Sequence, residues 1–368
     1  MKITSIEIFK SAIKTVEPFR IAIAVIEHSF NLFIKIHTDE GIYGMGEAAP
    51  FWAVTGETQA TALAAAKDLA GMLVGEDPLK IREHNQALHR YLVYNSAVRS
   101  GFDMALYDLL GKKAGLPVYA LLGGNRRCFS TDCTIGIDTP EAMAQKAAAL
   151  KSQGFNVLKI KLGQTMAQDL ARIRAVRQAI GPDIPLRVDA NQGWDYPTAA
   201  AMLRQFGALG VEYCEQPLAA WDYDNMKRLR DNSDIPIAAD ESVFDHHDAF
   251  KLAAAGCCDI LNIKLAKSGG IYRAQQINSV AESAGLKCML GCMLESRLAL
   301  TAAAHLVSAR PNIKFVDLDG HWGLLDDPVQ GGVQYKGPQV SVPDGPGLGA
   351  DIDPTFLKTC QSLEIKDE

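Results

Sequence analysis

The chain has 368 residues, 48% of them hydrophobic and 22% charged, with a formal charge of −6. That length supports one large domain plus a smaller one around a sizeable core. The mild acidity, with no run of like charge, argues against a nucleic-acid surface. The opening MKITSIEIFKSAIK is too charged for a signal-peptide core, and no apolar run approaches membrane-spanning length. The eight cysteines form no C-x-x-C pair and mostly lie in apolar runs. They read as buried reduced thiols of a cytoplasmic protein.

Residues 2–10 alternate and predict a strand. Asn31 to His37 predicts a second, Thr38-Asp39-Glu40-Gly41 a turn, and Ile42 to Glu47 a third, giving a three-stranded antiparallel sheet. Between the first two lies a loop, roughly Val16 to Ser29, holding Pro18, Phe19, Arg20, Glu27 and His28. Helical patterns follow at about 57–74, 79–92 and 95–113, the last ending at Gly115 before Pro117. Residues 1–125 therefore predict an α+β domain, with Leu121-Leu122-Gly123-Gly124-Asn125 as the linker.

Residues 126–320 carry eight strand-like runs, at about 128–135, 156–163, 185–191, 211–217, 236–242, 259–266, 287–294 and 313–319. Seven helical patterns separate them, which means parallel βαβ units in the manner of a (β/α)8 barrel. The eighth run lacks the expected helix. Residues 321–368 read instead as a glycine- and proline-rich tail, with short strands at about 332–335 and 339–342, that packs back on the first domain.

Three acids, Asp189, Glu215 and Asp240, end successive strand runs at intervals of 26 and 25 residues, about one βα unit. They fall at one height on neighbouring strands and converge. Converging carboxylates repel unless a cation neutralises them, and hard oxygen ligands in that number suit Mg²⁺. Lys159 and Lys161 lie one strand before the acids and Lys264 one strand after, so a closed barrel sets them across the cation. Lys159 and Lys161 share a strand face. Their mutual repulsion predicts a lowered pKa for the inner one, as a base working near neutrality requires.

The groups KIK (159–161), DAN (189–191), EQP (215–217), ADES (239–242) and NIK (262–264) resemble, in this order and spacing, the enolase superfamily in its muconate-lactonising subgroup. The resemblance covers nearly the whole chain. It implies an α/β fold: a modified TIM barrel, (β/α)7β, with an N-terminal α+β capping domain and a C-terminal segment returning to the cap. It implies that Asp189, Glu215 and Asp240 bind Mg²⁺, and that Lys161 and Lys264 are acid and base on opposite faces of a carbon next to a carboxylate. Lys159 would support Lys161. Asn191 either orients Asp189 or caps a helix, and Glu241 either supports the site or caps the helix after it.

Asp317 and Asp319, in Val316-Asp317-Leu318-Asp319, resemble the D-x-D signature of dipeptide epimerases, where two acids suit the α-ammonium of a dipeptide. Further similarities are Thr134-Ile135, Gly291 to Arg297 with Glu295 as a hydrogen-bonding residue, and Gly331-Gly332. The resemblance implies a Mg-dependent dipeptide epimerase, a homo-oligomer, inverting the α-carbon of the C-terminal residue. Where epimerases acting on Ala-Glu carry an arginine after the Pro-Phe of the first loop, this chain aligns Ala24, which points to other dipeptides. Muconate cycloisomerase, o-succinylbenzoate synthase and N-acylamino-acid racemase share the lysines and acids but bind no free ammonium, and a non-catalytic binder would need neither lysine. Phe19, Phe51 and Trp52 either line a lid or pack the cap. His321 and Trp322 are candidates for the site mouth, and Lys267-Ser268-Gly269-Gly270 reads as an anion-binding helix start or a tight turn.

Overall fold

The computed structural model describes residues 1–125 and 128–366. The cap is built on the alternating strand Ile3–Lys10, which buries Ile3, Ile6 and Ile8 on one face. It pairs antiparallel with Leu32–Thr38, which pairs with Tyr43–Ala48. The sheet has a fourth strand that the sequence reading did not predict. Gln361–Lys366 pairs with the free edge of the first strand, Ile6 opposite Ile365. The tail thus returns to the cap as a strand, after the short helix Pro354–Thr359.

The helix Ser96–Ala114 lies almost entirely buried between this sheet and the barrel. Two glycines allow the approach: a Cβ on Gly44 would stand 2.1 Å from the Ala105 carbonyl oxygen, and one on Gly46 2.0 Å from that of Gly101. Strand backbone and helix backbone touch with no side chain between them.

The segment expected as a loop is a β-hairpin. Ile13–Ile21 pairs with Ala24–Ser29, setting Phe19 opposite Ile26 and Ile21 opposite Ala24. The register shifts between Lys14 and Phe19, and this bulge, together with Pro18, hides the two-residue period. The hairpin leans on the barrel: Ile137 N–H donates to the Arg20 carbonyl at 2.8 Å, and Lys146 pairs with Glu17.

The barrel strands are Cys133–Ile135, Leu158–Lys161, Leu186–Asp189, Val211–Glu215, Ile237–Ala239, Ile260–Ile263, Lys287–Leu290 and Ile313–Val316. They form one parallel sheet in sequence order, and Asp132 N–H reaches the Val316 carbonyl across its two edges at 3.2 Å. The expected run 128–135 splits in two. Cys128–Ser130 pairs with Gln339–Ser341, itself in a hairpin with Gln334–Lys336, so this part of the tail closes the barrel and not the cap. Tyr213, Ala238, Ile260, Met289 and Phe315 fill the barrel interior. Arg187 shares that layer, paired with Asp132 at 2.7 Å and Glu212 at 2.9 Å. No helix among the described residues is long and apolar enough to cross a membrane.

One buried carboxylate staples cap to barrel. Asp103, on the long cap helix, accepts N–H bonds from Ile271 and Tyr272 at the start of the barrel helix Ile271–Ser283, and an amide bond from Asn85 at 2.8 Å. A Cβ on Gly270, φ +103°, would strike the Asp103 carboxyl at 2.2 Å. Burial outweighs these donors and pushes Asp103 from 3.8 to about 7. A folded-state value raised above the unfolded one stabilises fully below the unfolded pKa and is lost as pH rises through the folded value. As pH rises from 4 to 7, Asp103 should therefore cost stability, by about 4 kcal/mol in all at about 1.4 kcal/mol per pKa unit. Urea midpoints at pH 5 and pH 7.5 check this: the difference should shrink in Asp103→Asn, and an unchanged difference would assign it to other groups.

Candidate active site

Alternation along each strand turns residues i and i+2 to the barrel axis. Lys159 and Lys161, Arg187 and Asp189, and Tyr213 and Glu215 are three such pairs on neighbouring strands. Lys161 is in register with Asp189, and Asp189 with Glu215, which puts the charged tips at one level above the Arg187–Tyr213 layer. Asp240 follows the fifth strand and Lys264 the sixth. One carboxylate oxygen from each of Asp189, Glu215 and Asp240 lies within 4.8 Å of the others, and all three side chains are buried.

Lysines neutralise the acids. Lys159 Nζ stands 2.8 Å from Glu215 Oε2, 2.8 Å from Asp317 Oδ2 and 3.4 Å from Asp189 Oδ2. Lys161 Nζ is 2.6 Å from Asp189 Oδ2, and Lys264 Nζ 2.8 Å from Asp240 Oδ2. Lys159 reaches into the acids, and its ammonium and that of Lys161 share one oxygen, Asp189 Oδ2, at 3.4 and 2.6 Å. Against the cost of burial, Asp317, Glu215 and Asp189 hold Lys159 well above the usual lysine range. Asp240 and Glu215 likewise hold Lys264 up against burial. Asp189 is kept ionised by Lys161 and Lys159 although burial opposes it. Glu215 has less help, and burial and Asp189 push it to about 7.

Of the supporting residues, Asn191 donates its backbone N–H to Asp189 Oδ1 at 2.8 Å and its side-chain amide to Glu241 Oε1 at 3.2 Å. It orients Asp189 and starts no helix. Glu241, pushed to about 8 by burial and by Asp240, sits behind the acid cluster. Asn191, Gln192 and Gln216 have positive φ of 41°, 67° and 34°, directly after the strands that carry Asp189 and Glu215. Strain of this kind persists only where the surroundings impose it, typically at functional sites.

At the eighth strand, Asp319 Oδ2 accepts Thr134 N–H at 2.6 Å, and the Thr134 hydroxyl lies 3.5 Å from Asp317 Oδ1. Lys159 holds Asp317 ionised against burial. Burial and the Asp317 charge push Asp319 to about 7, the response of a carboxyl that lacks a cation.

Two chambers meet at Lys161, Lys264, Phe19, Cys292, Met293 and Leu294. One, about 650 Å³, runs under the hairpin past Ile26, His28, Phe51 and Trp52. The other, about 740 Å³, contains Thr134, Asp317, Asp319 and Trp322. Ala24, an expected substrate contact, lines neither; its place opposite Ile21 near the hairpin tip leaves the wall to Val25 and Ile26. Arg20 faces a third cavity, so of the polar first-loop candidates Glu27 and His28, and not Arg20, face the first chamber beside Phe19. Glu295 lines neither chamber; its carboxylate accepts Met293 N–H at 2.5 Å and shapes the loop behind them. His321 stacks on Tyr335 at 4.0 Å, outside both walls.

Lys267 starts no anion site. Its ammonium is fully buried 2.7 Å from Asp240 Oδ1 and also meets the Asp240 carbonyl. The sequence reading gave neither Lys267 nor Asn262 a place among the acids. Asn262 donates to Glu215 Oε1 at 2.6 Å. Asn262 lies in the sixth strand and Lys264 directly after its end, two residues on, so the spacing used for Lys159 and Lys161 finds Asn262 as well.

Two family models match the chain: the mandelate racemase/muconate lactonizing enzyme N-terminal domain over residues 3–123, and the enolase C-terminal domain-like family over 142–356. The hydrophobic dipeptide epimerase of Enterococcus faecalis is 40% identical, aligned over 95% of this chain and 99% of its own. The crystal structure of a dipeptide epimerase from Cytophaga hutchinsonii, complexed with Mg and D-Ala-L-Val, superposes with a TM-score of 0.98 at 38% identity over all of both chains. The N-succinyl-L-Arg/Lys racemase of Bacillus cereus is 33% identical over 97% of each chain. With a curled parallel sheet carrying the lysines and acids and an N-terminal sheet domain over its mouth, the chain is an isomerase belonging to the mandelate racemase/muconate lactonizing group of the enolase superfamily.

Proposed function

We propose that this protein is a dipeptide epimerase that inverts the α-carbon of the C-terminal residue by a 1,1-proton transfer, on dipeptides whose second residue is apolar. The observation that carries this reading is the placement of the two lysines. Lys161 ends the second of eight strands and Lys264 follows the sixth, so they stand on opposite sides of the barrel, and both line the junction of the two chambers. A carbon held at that junction presents one face to each amine. Lys161 takes the proton from one face while Lys264 returns one to the other, and a well-placed acid or base contributes about 10²–10⁴-fold.

Asp189, Glu215 and Asp240 fit a hard divalent cation, and Mg²⁺ is the cofactor. All three are buried, and Glu215 Oε2 and the two Asp240 side-chain oxygens meet only ammonium groups among the described residues, Lys159 at 2.8 Å, Lys264 at 2.8 Å and Lys267 at 2.7 Å, so this is an all-carboxylate donor set that already draws positive charge. Bound there, the ion supplies Lewis-acid neutralisation of the charge that grows on a substrate carboxylate as its α-proton leaves. Asp317 and Asp319 take the α-ammonium at the far end. The first chamber takes the second residue's side chain, and Ile26, Phe51 and Trp52, with no arginine among the described residues that line it, favour an apolar one over glutamate.

The test is a screen of dipeptides with Mg²⁺ in D₂O, read as α-deuteration at the C-terminal residue. Exchange in dipeptides with Leu, Val, Phe or Tyr second is the expected result. Exchange confined to N-succinylamino acids would replace this reading with racemase activity on N-acylated substrates.

A further inference from the structure

We infer that the first residue of the substrate carries a large apolar, and best an aromatic, side chain, seated against a wall made by Phe155, Trp322 and Tyr335. This rests on the dipeptide reading above and adds the specificity of its other half.

The second chamber holds both acids of the ammonium site, yet most of its wall is not acidic. Beyond Asp319 it opens onto Leu150, Phe155, Trp322 and Tyr335. The rings form one rigid surface: Phe155 meets Trp322 edge to face at 5.3 Å and 84°, and Trp322 meets Tyr335 at 5.1 Å and 60°. The Tyr335 hydroxyl is spent on the Leu318 carbonyl at 2.8 Å, so this residue offers its ring and not its polar end. His321 stacks on the same ring at 4.0 Å and fixes its orientation.

An α-ammonium at Asp319 places the first residue's α-carbon at the corner between the acids and this wall. With the peptide carbonyl directed to the reacting centre, the side chain is left facing the rings. Alanine or glycine would leave most of the roughly 740 Å³ chamber to water. A phenyl or indole ring would cover more of this wall, with edge and face contacts of the kind aromatic pairs favour. The charged groups at the rim do not argue for a charged side chain. Glu17 and Lys146 pair with each other across the hairpin–barrel seam, with side chains 62% and 42% exposed. A solvated pair of that kind selects weakly.

The experiment compares kcat/KM, by α-proton exchange, for Phe-Leu, Tyr-Leu, Lys-Leu, Ala-Leu and Gly-Leu with the Mg-loaded enzyme. Phe-Leu and Tyr-Leu should exceed Ala-Leu by about ten- to a hundredfold, the discrimination an apolar pocket achieves. Two variants move the ratio in separate ways. Trp322→Ala empties the wall and should bring Phe-Leu towards Ala-Leu. Leu150→Trp fills the chamber and should invert the order. Ala-Leu or Gly-Leu leading in the unaltered enzyme would overturn this inference and leave the epimerase reading standing, as would Lys-Leu leading. An unmoved ratio in whichever variants fold would also overturn it. Exchange in no dipeptide at all would remove both.

Discussion

Replacing Lys161 or Lys264 by alanine should abolish inversion in both variants, with a rate loss of about 10³-fold or more, while leaving solvent exchange intact in one diastereomer each. The reason is the position of the two side chains. They come from the second and sixth segments of an eight-stranded sheet that curls until Asp132 touches Val316, and they enter the site from opposite walls. Without Lys161, a substrate whose α-proton faces Lys264 still loses that proton and regains deuterium from the same amine. It exchanges without changing hand. Without Lys264 the other diastereomer does so. NMR of L,L and L,D forms of one dipeptide in D₂O separates the cases. If both variants silence the same diastereomer, the lysines serve one face and the two-base reading is wrong. The alanine variants also leave Asp189 with Lys159 alone or Asp240 with Lys267 alone, so their thermal stability should be compared at saturating Mg²⁺, where the cation would compensate for the missing ammonium.

That experiment was readable from sequence because barrels are periodic. Acids at intervals of 26 and 25 residues, each closing a short apolar run, can only lie side by side at one height, and the register of Lys161 with Asp189 and Asp189 with Glu215 is that arithmetic in three dimensions. Contacts outside the period were not readable. Gln361–Lys366 completes the cap sheet from some 350 residues away, and its partner strand carries no local mark of an occupied edge. The hairpin over the site reads as a loop in sequence because the bulge before Phe19 breaks alternation. Ala24 aligns with a substrate contact by its distance from Pro18-Phe19, and distance along the chain does not fix which way a residue near a hairpin tip faces. Lys267 illustrates a different limit. It lies three residues past Lys264, one turn along a helix of only four residues, Leu265–Ser268. Only knowing that the strand ends at Ile263 turns its side chain back under Asp240.

Stripping the protein of metal should reduce exchange to background, and Mg²⁺ should restore it and raise the melting temperature; Asp189→Asn and Glu215→Gln should lose both responses. At a concentration 100 times its Kd a ligand that binds only the folded state stabilises by about 2.7 kcal/mol, a shift well within reach of calorimetry. The argument for so large an effect on rate is electrostatic. Asp240 and Glu215 hold Lys264 charged, and a charged amine cannot accept a proton. A divalent ion held by Asp189, Glu215 and Asp240 would take up that negative charge, and Lys264, less strongly held as an ammonium, would come towards the range where it serves as a base. Lys159 and Lys267, paired with Asp317 and Asp240, would keep the acids in place and leave Lys161 and Lys264 for the substrate. Glu215→Gln discriminates this from a purely structural role for the acids. It removes a charge beside Lys159 and leaves the amide of Asn262 without its carboxylate acceptor, so a structural acid would lower the melting temperature by the same amount with and without Mg²⁺. A loss seen only in the presence of Mg²⁺ is the outcome expected of a ligand to the ion; an equal loss in both would take Glu215 out of the metal site.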